Sequence, residues 1–227
     1  MSERARRLSG HRRLPEWWEP LLTRIEAADA TAFTRLPTPD RAGRESAVLI
    51  LLGEESAGSG PDVLMLQRAD TLRSHPGQVA FPGGAVDPDD ADVAATALRE
   101  ATEEVGLDPT SAEVLAHLPT LWIPVSDFLV TPVLAWWHSP HPVRPVDLAE
   151  VARVERLPVA ELVDPANRLR IRHPSGWIGP AFRVHGMLVW GFTAGVLSTL
   201  LELGGWSVPW STDRVEEMPG TGRAPVP

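Results

Sequence analysis

The sequence predicts an α+β fold, or a layered sandwich of helices and strands, and three observations support this class. The 227 residues are 43% hydrophobic and 22% charged, which is ordinary globular composition. Short apolar runs with strand-like periodicity mix with runs at helical spacing. The two kinds of element do not alternate regularly, as a doubly wound parallel sheet would require.

The first part of the chain predicts a basic arm, a helix and a β-hairpin. Residues 1–15 suit a flexible arm. Pro15 and Glu16 suit the first turn of a helix, and the apolar residues after them recur at helical spacing. The pattern then predicts a strand at 47–52, a turn at 54–61, a strand at 63–66 and a loop at 72–84.

The clearest helix is predicted at 92–105, because acids that can cap it precede it and Gly106 can end it. The uncharged run 186–201 predicts a buried core helix and not a membrane span, since Gly, Ser and Thr dilute it. The remaining predictions are strands at 114–121, 128–137 and 151–157, a short helix at 159–163, strands or a hairpin at 168–172 and 182–190, and a helix at 192–203.

These elements suggest three regions: an N-terminal arm and helix at 1–40, a main domain at 41–205, and a flexible tail at 206–227 rich in Pro and Gly. The basic N-terminus has no apolar run behind it and does not resemble a secretory signal. We therefore expect a soluble cytoplasmic protein without a membrane partner. A homodimer stays open.

Composition excludes several chemistries. Thirty acidic and 21 basic residues give a net charge of -9, which argues against a nucleic-acid partner. The absence of cysteine excludes thiolate ligands and a cysteine nucleophile. The absence of lysine and tyrosine excludes a Schiff base and a tyrosine general acid.

Three carboxylates share one face of the helix predicted at 92–105. Glu100, Glu103 and Glu104 stand at positions i, i+3 and i+4, where like charges repel. Residues 87–104 carry seven acids and one base, Arg99, so a phosphate ester would avoid them unless cations reversed the local charge. The pattern predicts a site for Mg2+ or Mn2+, which prefer oxygen ligands. Its alternative is a solvated acidic helix face.

Basic side chains precede this acidic segment. Arg68, Arg73 and His75 are potential phosphate partners, and arginine can bind phosphate through two parallel hydrogen bonds. The alternatives are an ion pair of Arg73 with the acids of 87–92 and a structural hydrogen bond of His75 within its loop.

Gly84 and the run Arg99-Glu100-Ala101-Thr102-Glu103-Glu104-Val105-Gly106-Leu107 resemble the Nudix box, the signature of the Nudix hydrolases. The usual box is a glycine, five residues, a glutamate, seven residues and R-E-U-x-E-E-x-G-U, where U is a bulky aliphatic residue. Here position 90 is aspartate, one extra residue separates it from Arg99, and position 101 is alanine. The first two departures affect the loop carboxylate and leave the helical glutamates intact.

A second motif, immediately upstream, resembles the signature of the coenzyme A pyrophosphatase branch of this family. It reads Arg68-Ala69-x-x-x-Arg73-x-x-x-Gly77-x-x-x-Phe81-Pro82-Gly83-Gly84, and segments 128–132 and 189–194 match further. The branch usually begins this motif with L-L-T-x-R, whereas this chain has Met65 and Leu66 at the second and third positions. The resemblance covers about residues 46–204 and implies a Nudix-like α/β/α sandwich with a mixed β-sheet.

The resemblance also implies the site. Glu100 and Glu104 would be metal ligands, Glu103 a ligand or the general base, and Arg99 an orienting residue; Glu150 or Glu155 are later acids that could serve as the base instead. The implied catalytic residues are Arg99, Glu100, Glu103 and Glu104; the metal ligands are Gly83 (through its carbonyl), Glu100, Glu103 and Glu104; the substrate-binding residues are Arg68, Arg73, His75, Gly77 and Phe81.

The implied activity is Mg2+- or Mn2+-dependent hydrolysis of a small-molecule diphosphate. Coenzyme A or an acyl derivative would give 3′,5′-ADP and 4′-phosphopantetheine or its acyl form. One alternative is another Nudix substrate, such as ADP-ribose, NADH or an oxidised nucleotide. Another is a non-catalytic nucleotide sensor, against which the complete set of box residues argues.

Overall fold

The computed structural model of the chain describes residues 13–34, 36, 43–56, 58–124 and 126–218. Most of the predicted N-terminal arm and the last part of the predicted tail, 219–227, lie outside these residues. The helices are α1 (Trp18–Ala27), α2 (Ala30–Phe33), α3 (Val93–Val105), α4 (Val159–Val163) and α5 (Gly191–Leu203), with 3-10 turns at Pro109–Ser111 and Pro165–Asn167. The strands are β1 (Arg44–Gly53), β2 (Asp62–Arg68), β3 (Val79–Ala80), β4 (Gly83–Ala85), β5 (Ala112–His117), β6 (Leu121–Ile123), β7 (Phe128–Trp137), β8 (Val151–Pro158), β9 (Arg168–Arg172), β10 (Ile178–Val184), β11 (Met187–Val189) and β12 (Val215–Glu217).

The first eight strands form one mixed sheet around β1. Strand β1 is parallel to β7 along nearly its whole length and antiparallel to β4 at its beginning and to β2 at its end. Strands β5 and β6 pair with β7, and β3 and β8 pair with β2, all antiparallel. The mixed α+β fold predicted from the sequence is therefore confirmed.

Apolar side chains on successive positions of β1 supply two cores, one on each face of this sheet. Leu49 and Leu51 pack on the face covered by α3, whereas Ile50 and Leu52 pack on the face covered by α1 and α5. Trp18 of α1 is fully buried in the second of these cores. The N-terminal helix is therefore a layer of the main fold, and the sheet lies between helices on both faces.

A second sheet, in the order β11-β10-β9-β12, adds Phe182, Val184, Met187 and Val189 to the core shared by α1 and α5. The flexible tail predicted from residue 206 is wrong for the part that forms β12, which pairs in parallel with β9. Ion pairs of Arg172 with Glu217 and of Arg183 with Glu216 accompany this pairing. A three-residue strand among Pro and Gly has no periodicity that could reveal it.

Two other predictions are corrected. The strand predicted at 114–121 is two strands, β5 and β6, with residues 118–120 between them; Pro119, which has no amide hydrogen to donate to a ladder, lies in this break. The predicted loop 72–84 contains β3 and the start of β4. Of the uncharged run 186–201, residues 187–189 form β11 and only 191–201 lie in α5. That helix is buried as predicted, and none of the described helices is long and apolar enough to cross a membrane.

Candidate active site

Strand β4 and helix α3 bring Gly83 and Gly84 against the glutamates of the box. The amide of Gly83 donates a hydrogen bond to Glu104 Oε2 over 2.9 Å. Gly84 lies against the Glu100 carboxylate so closely that any side chain at this position would collide with it. Glycine at 84 therefore lets the backbone of β4 lie directly against the Glu100 carboxylate. The same strand contacts Glu104 through Gly83, so β4 borders two of the three carboxylates.

Helix α3 rests on the sheet through small side chains. Ala97, Ala101 and Val105 are fully buried against β1. The side chain of Asp92 accepts a hydrogen bond from the amide of Ala95, and Gly106 ends the helix at φ 69°, as predicted. The helix is thus fixed at both ends and along its inner face.

Arg99 connects the acidic loop to two of the glutamates. Its Nη1 donates to Glu100 Oε1 over 3.0 Å and to Glu103 Oε2 over 3.1 Å. Its Nε and Nη2 each donate to Asp90 over 3.0 Å, and Nη2 also donates to the carbonyl of Ala85. This geometry suits the orienting role implied for Arg99.

Asp90 has a defined partner set that the sequence did not reveal. Its carboxylate accepts from the hydroxyl of Thr96 and the amide of Asp87 as well as from Arg99. The hydrogen bonds from Arg99 are the main reason that the pKa of Asp90 lies well below its usual range. The i, i+3 spacing of Thr96 and Arg99, which places both toward the preceding loop, is the signal that could have indicated it.

Burial perturbs the two inner glutamates. It raises the pKa of Glu104 to about 7; the hydrogen bond from Gly83 and the charge of Arg68 oppose this, whereas the charges of Glu100 and Glu150 add to it. Burial also raises the pKa of Glu100, against the effect of Arg99. Two desolvated carboxylates that repel each other are a suitable donor set for a hard divalent cation.

Glu103 departs from the predicted cluster. Its side chain is 59% exposed, compared with 18% for Glu100, and contacts Arg99. Within the residues that the structure describes, no three acidic or histidine side chains converge to hold a metal ion. Glu100 and Glu104, the less exposed carboxylates, fit a metal. Glu100 and Glu103 each bond Arg99 through one oxygen, so the exposure of Glu103 is what sets it apart.

The basic residues of the upstream motif lie at the end of β2 and in the loop after it. Arg68 is close enough to Glu104 to lower its pKa, and the Arg68 Nε is buried without a hydrogen-bond partner. Arg73 and His75 are exposed in the loop 69–78. Among the described residues, Arg73 makes no ion pair with the acids of 87–92.

The other two residues predicted to bind substrate have structural roles. Phe81 is only 3% exposed and packs in the core shared by α1 and α5, so its side chain does not face the site. Gly77 adopts φ 66° and lies against the Asp70 carboxylate, which shapes the loop that carries Arg73 and His75. The amide side chain of Gln67 donates to the Gly77 carbonyl.

The structure separates the two later acids. Glu150 is near enough to Glu104 to raise its pKa, and its carbonyl accepts from the amide of Ala69. Glu155 instead pairs with Arg153 and lies 3.5 Å from His185 Nδ1, at the turn between β10 and β11.

The close approach at Gly84 yields a first prediction. Gly84→Ala is expected to lower kcat/KM by about tenfold, because the new methyl group displaces the Glu100 carboxylate. Steady-state kinetics of the variant check this. Gly195→Ala, in α5 where a methyl group meets open space, is the control and should keep full activity. Unchanged kinetics in Gly84→Ala would contradict the close contact.

Comparison with known proteins supplies the remaining observation. The NUDIX domain model matches residues 43–177. A protein named uncharacterized Nudix hydrolase NudL from Enterobacter sp. (strain 638) is 39% identical over 178 residues, which cover 71% of this chain and 83% of the relative. The protein of that name from Escherichia coli O1:K1 / APEC is 40% identical over 169 residues, with the same coverage.

The chain is also similar to solved structures at low sequence identity. A Nudix hydrolase from M. smegmatis, RenU, has a TM-score of 0.47 and 19% identity, covering 71% of this chain and 86% of that one. A MutT/nudix family protein from Enterococcus faecalis has a TM-score of 0.46 and 16% identity, covering 83% and 73%.

Proposed function

Because this chain belongs to the Nudix hydrolase family, we propose that it hydrolyses the diphosphate linkage of coenzyme A or its acyl derivatives. The products are 3′,5′-ADP and 4′-phosphopantetheine or its acyl form. The family assignment itself makes the chain a hydrolase of a nucleoside diphosphate derivative. The choice of coenzyme A, and the cytoplasm as the place of the reaction, belong to the proposal.

The observation that carries the choice of substrate is the basic loop beside the acidic site. Arg68 lies next to Glu104, and Arg73 and His75 are exposed on the segment that follows. These three side chains offer phosphate contacts beyond the diphosphate that would bind at the glutamates. Coenzyme A carries a third phosphate, on the ribose, and ADP-ribose does not. A further phosphate is the group that an exposed arginine and histidine recognise well.

Nudix hydrolases generally use divalent metal ions, and the residues here fit such an ion. Glu100, Glu104 and Glu103 would hold it, and Arg99 bonds one oxygen of Glu100 and one of Glu103. When bound, Mg2+ or Mn2+ supplies charge neutralisation for the diphosphate and acidifies water. We propose that Arg68 binds a diphosphate oxygen, that Arg99 orients the glutamates, and that Glu103 or Glu150 accepts the proton of the attacking water.

Product analysis distinguishes this proposal from its alternatives. Incubation with coenzyme A, ADP-ribose and NADH, each with Mg2+ or Mn2+, should release 3′,5′-ADP from coenzyme A at the highest kcat/KM. Faster cleavage of ADP-ribose or NADH would show that the enzyme prefers another Nudix substrate to coenzyme A. Binding of every nucleotide without turnover would indicate a sensor.

Arg73→Ala tests the third phosphate directly. The variant is expected to lose about ten- to a hundredfold in kcat/KM for coenzyme A and much less for dephospho-coenzyme A, because a charged hydrogen bond contributes about 1.5–3 kcal/mol. Arg172→Ala, at an exposed arginine of the second sheet, is the matched control. Both substrates and a melting curve are measured on each variant.

If Arg73 only orders the loop 69–78, the two substrates lose activity equally and the melting temperature falls. That result would contradict the proposed contact of Arg73 with the 3′-phosphate and leave the hydrolase assignment unchanged.

A further inference from the structure

Two large apolar side chains are exposed beside the acidic helix, in the segment 143–150 that follows β7. Val146 is 60% exposed and Leu148 is 73% exposed. Single exposed apolar residues are common on protein surfaces. These two differ in that they stand at alternate positions of one segment that borders the candidate active site.

Hydrogen bonds attach this segment to the site at both ends. The amide of Val146 donates to the carbonyl of Glu104 over 3.1 Å, so the segment follows the last turn of α3. At the other end, the carbonyl of Glu150 accepts from the amide of Ala69, where the basic loop begins. The segment that carries the apolar side chains therefore runs between Glu104, at the end of α3, and the start of the loop that carries Arg73.

The conformation of the segment is fixed from within. Asp147 accepts a hydrogen bond from the amide of Ala149 through its side chain and from the amides of Glu150 and Val151 through its carbonyl. Val143 packs against the core beneath α3. Because this backbone is held in place, Val146 and Leu148 are exposed on a surface of defined conformation.

An apolar surface of this kind has no favourable contact to offer a phosphate or a metal ion, but it can remove a hydrocarbon group from water. The proposed substrate has one such part, the pantetheine arm with its thioester-linked acyl chain. We propose that Val146 and Leu148 bind this arm and give the enzyme a preference for acylated coenzyme A. This inference rests on the proposed function and names the substrate class within it.

The test compares coenzyme A with octanoyl-coenzyme A. The wild-type protein should have the higher kcat/KM for the octanoyl form. Leu148→Ser should lower kcat/KM for octanoyl-coenzyme A by about tenfold, mainly through KM, since each buried methylene changes binding about fourfold. Unacylated coenzyme A should lose less. Val146→Ser should act in the same direction, and Val208→Ser, at an exposed valine near the end of the described chain, is the control.

The outcomes separate the two ideas. Loss of the octanoyl preference in Leu148→Ser, with the control unchanged, supports the apolar contact. Equal changes for both substrates, no change in either, or a wild-type protein that hydrolyses both forms equally well would overturn it and leave the proposed function in place. A wild-type protein that cleaves neither form would overturn both.

Discussion

Replacing Glu104 with glutamine is expected to lower kcat/KM at saturating metal by about a hundredfold or more. The substitution keeps the size of the side chain and its hydrogen bond from Gly83 but removes the charge that would hold the cation. Loss of one catalytic electrostatic contact typically costs about 3 kcal/mol in the transition state. Steady-state kinetics over a range of metal concentrations check this, and a near wild-type rate would remove Glu104 from the site.

The same variant should be more stable than the wild-type protein when metal is absent. Burial raises the pKa of Glu104 from 4.5 to about 7, so the folded protein binds this proton more tightly than the unfolded chain. The contribution of this group to stability therefore falls as the pH rises from 4.5 to about 7, by about 3 kcal/mol in total. Melting temperatures of wild type and Glu104→Gln should differ most at pH 8 and converge near pH 4.5.

Glu103→Gln is the matched control for stability, since that carboxylate is 59% exposed. It should shift the melting temperature far less than Glu104→Gln at pH 8. A variant at 104 that is less stable than wild type at pH 8 would contradict the unfavourable burial of this charge.

Removal of divalent metal is the second large effect, and it should abolish turnover. EDTA is expected to reduce activity to background, and Mg2+ or Mn2+ should restore it, because uncompensated acids otherwise repel the diphosphate. The melting curve of the EDTA-treated protein serves as the control and should still show a folded protein. Added metal should also raise the melting temperature of wild type and not that of Glu104→Gln. Full turnover under chelation would contradict the metal requirement.

The sequence predicted the parts of the site that one element carries. Helical spacing, the acids that can cap the helix and Gly106 at its end predicted α3. These features depend on residues close together in the sequence, and therefore the sequence pattern can reveal them.

The parts that depend on contacts across the fold were not predictable in this way. Asp90 reaches Arg99 only because the loop folds back over α3, and the burial of Phe81 depends on helices distant in sequence. Glu103 shares a helical face with Glu100 and Glu104, but its exposure follows from how α3 is turned on the sheet. Periodicity gives the neighbours along a helix and not the direction in which the helix is rotated.

Two alanines on the buried face of α3 determine which substitutions the enzyme can tolerate there. Ala97 and Ala101 let the helix lie close to β1, and this spacing also sets the distance from the helix to β4. A larger apolar residue at either position would move the helix as a unit, because a close-packed core transmits added volume and does not absorb it. The position of the carboxylates relative to the backbone of Gly83 and Gly84 thus depends on buried residues that do not contact the substrate.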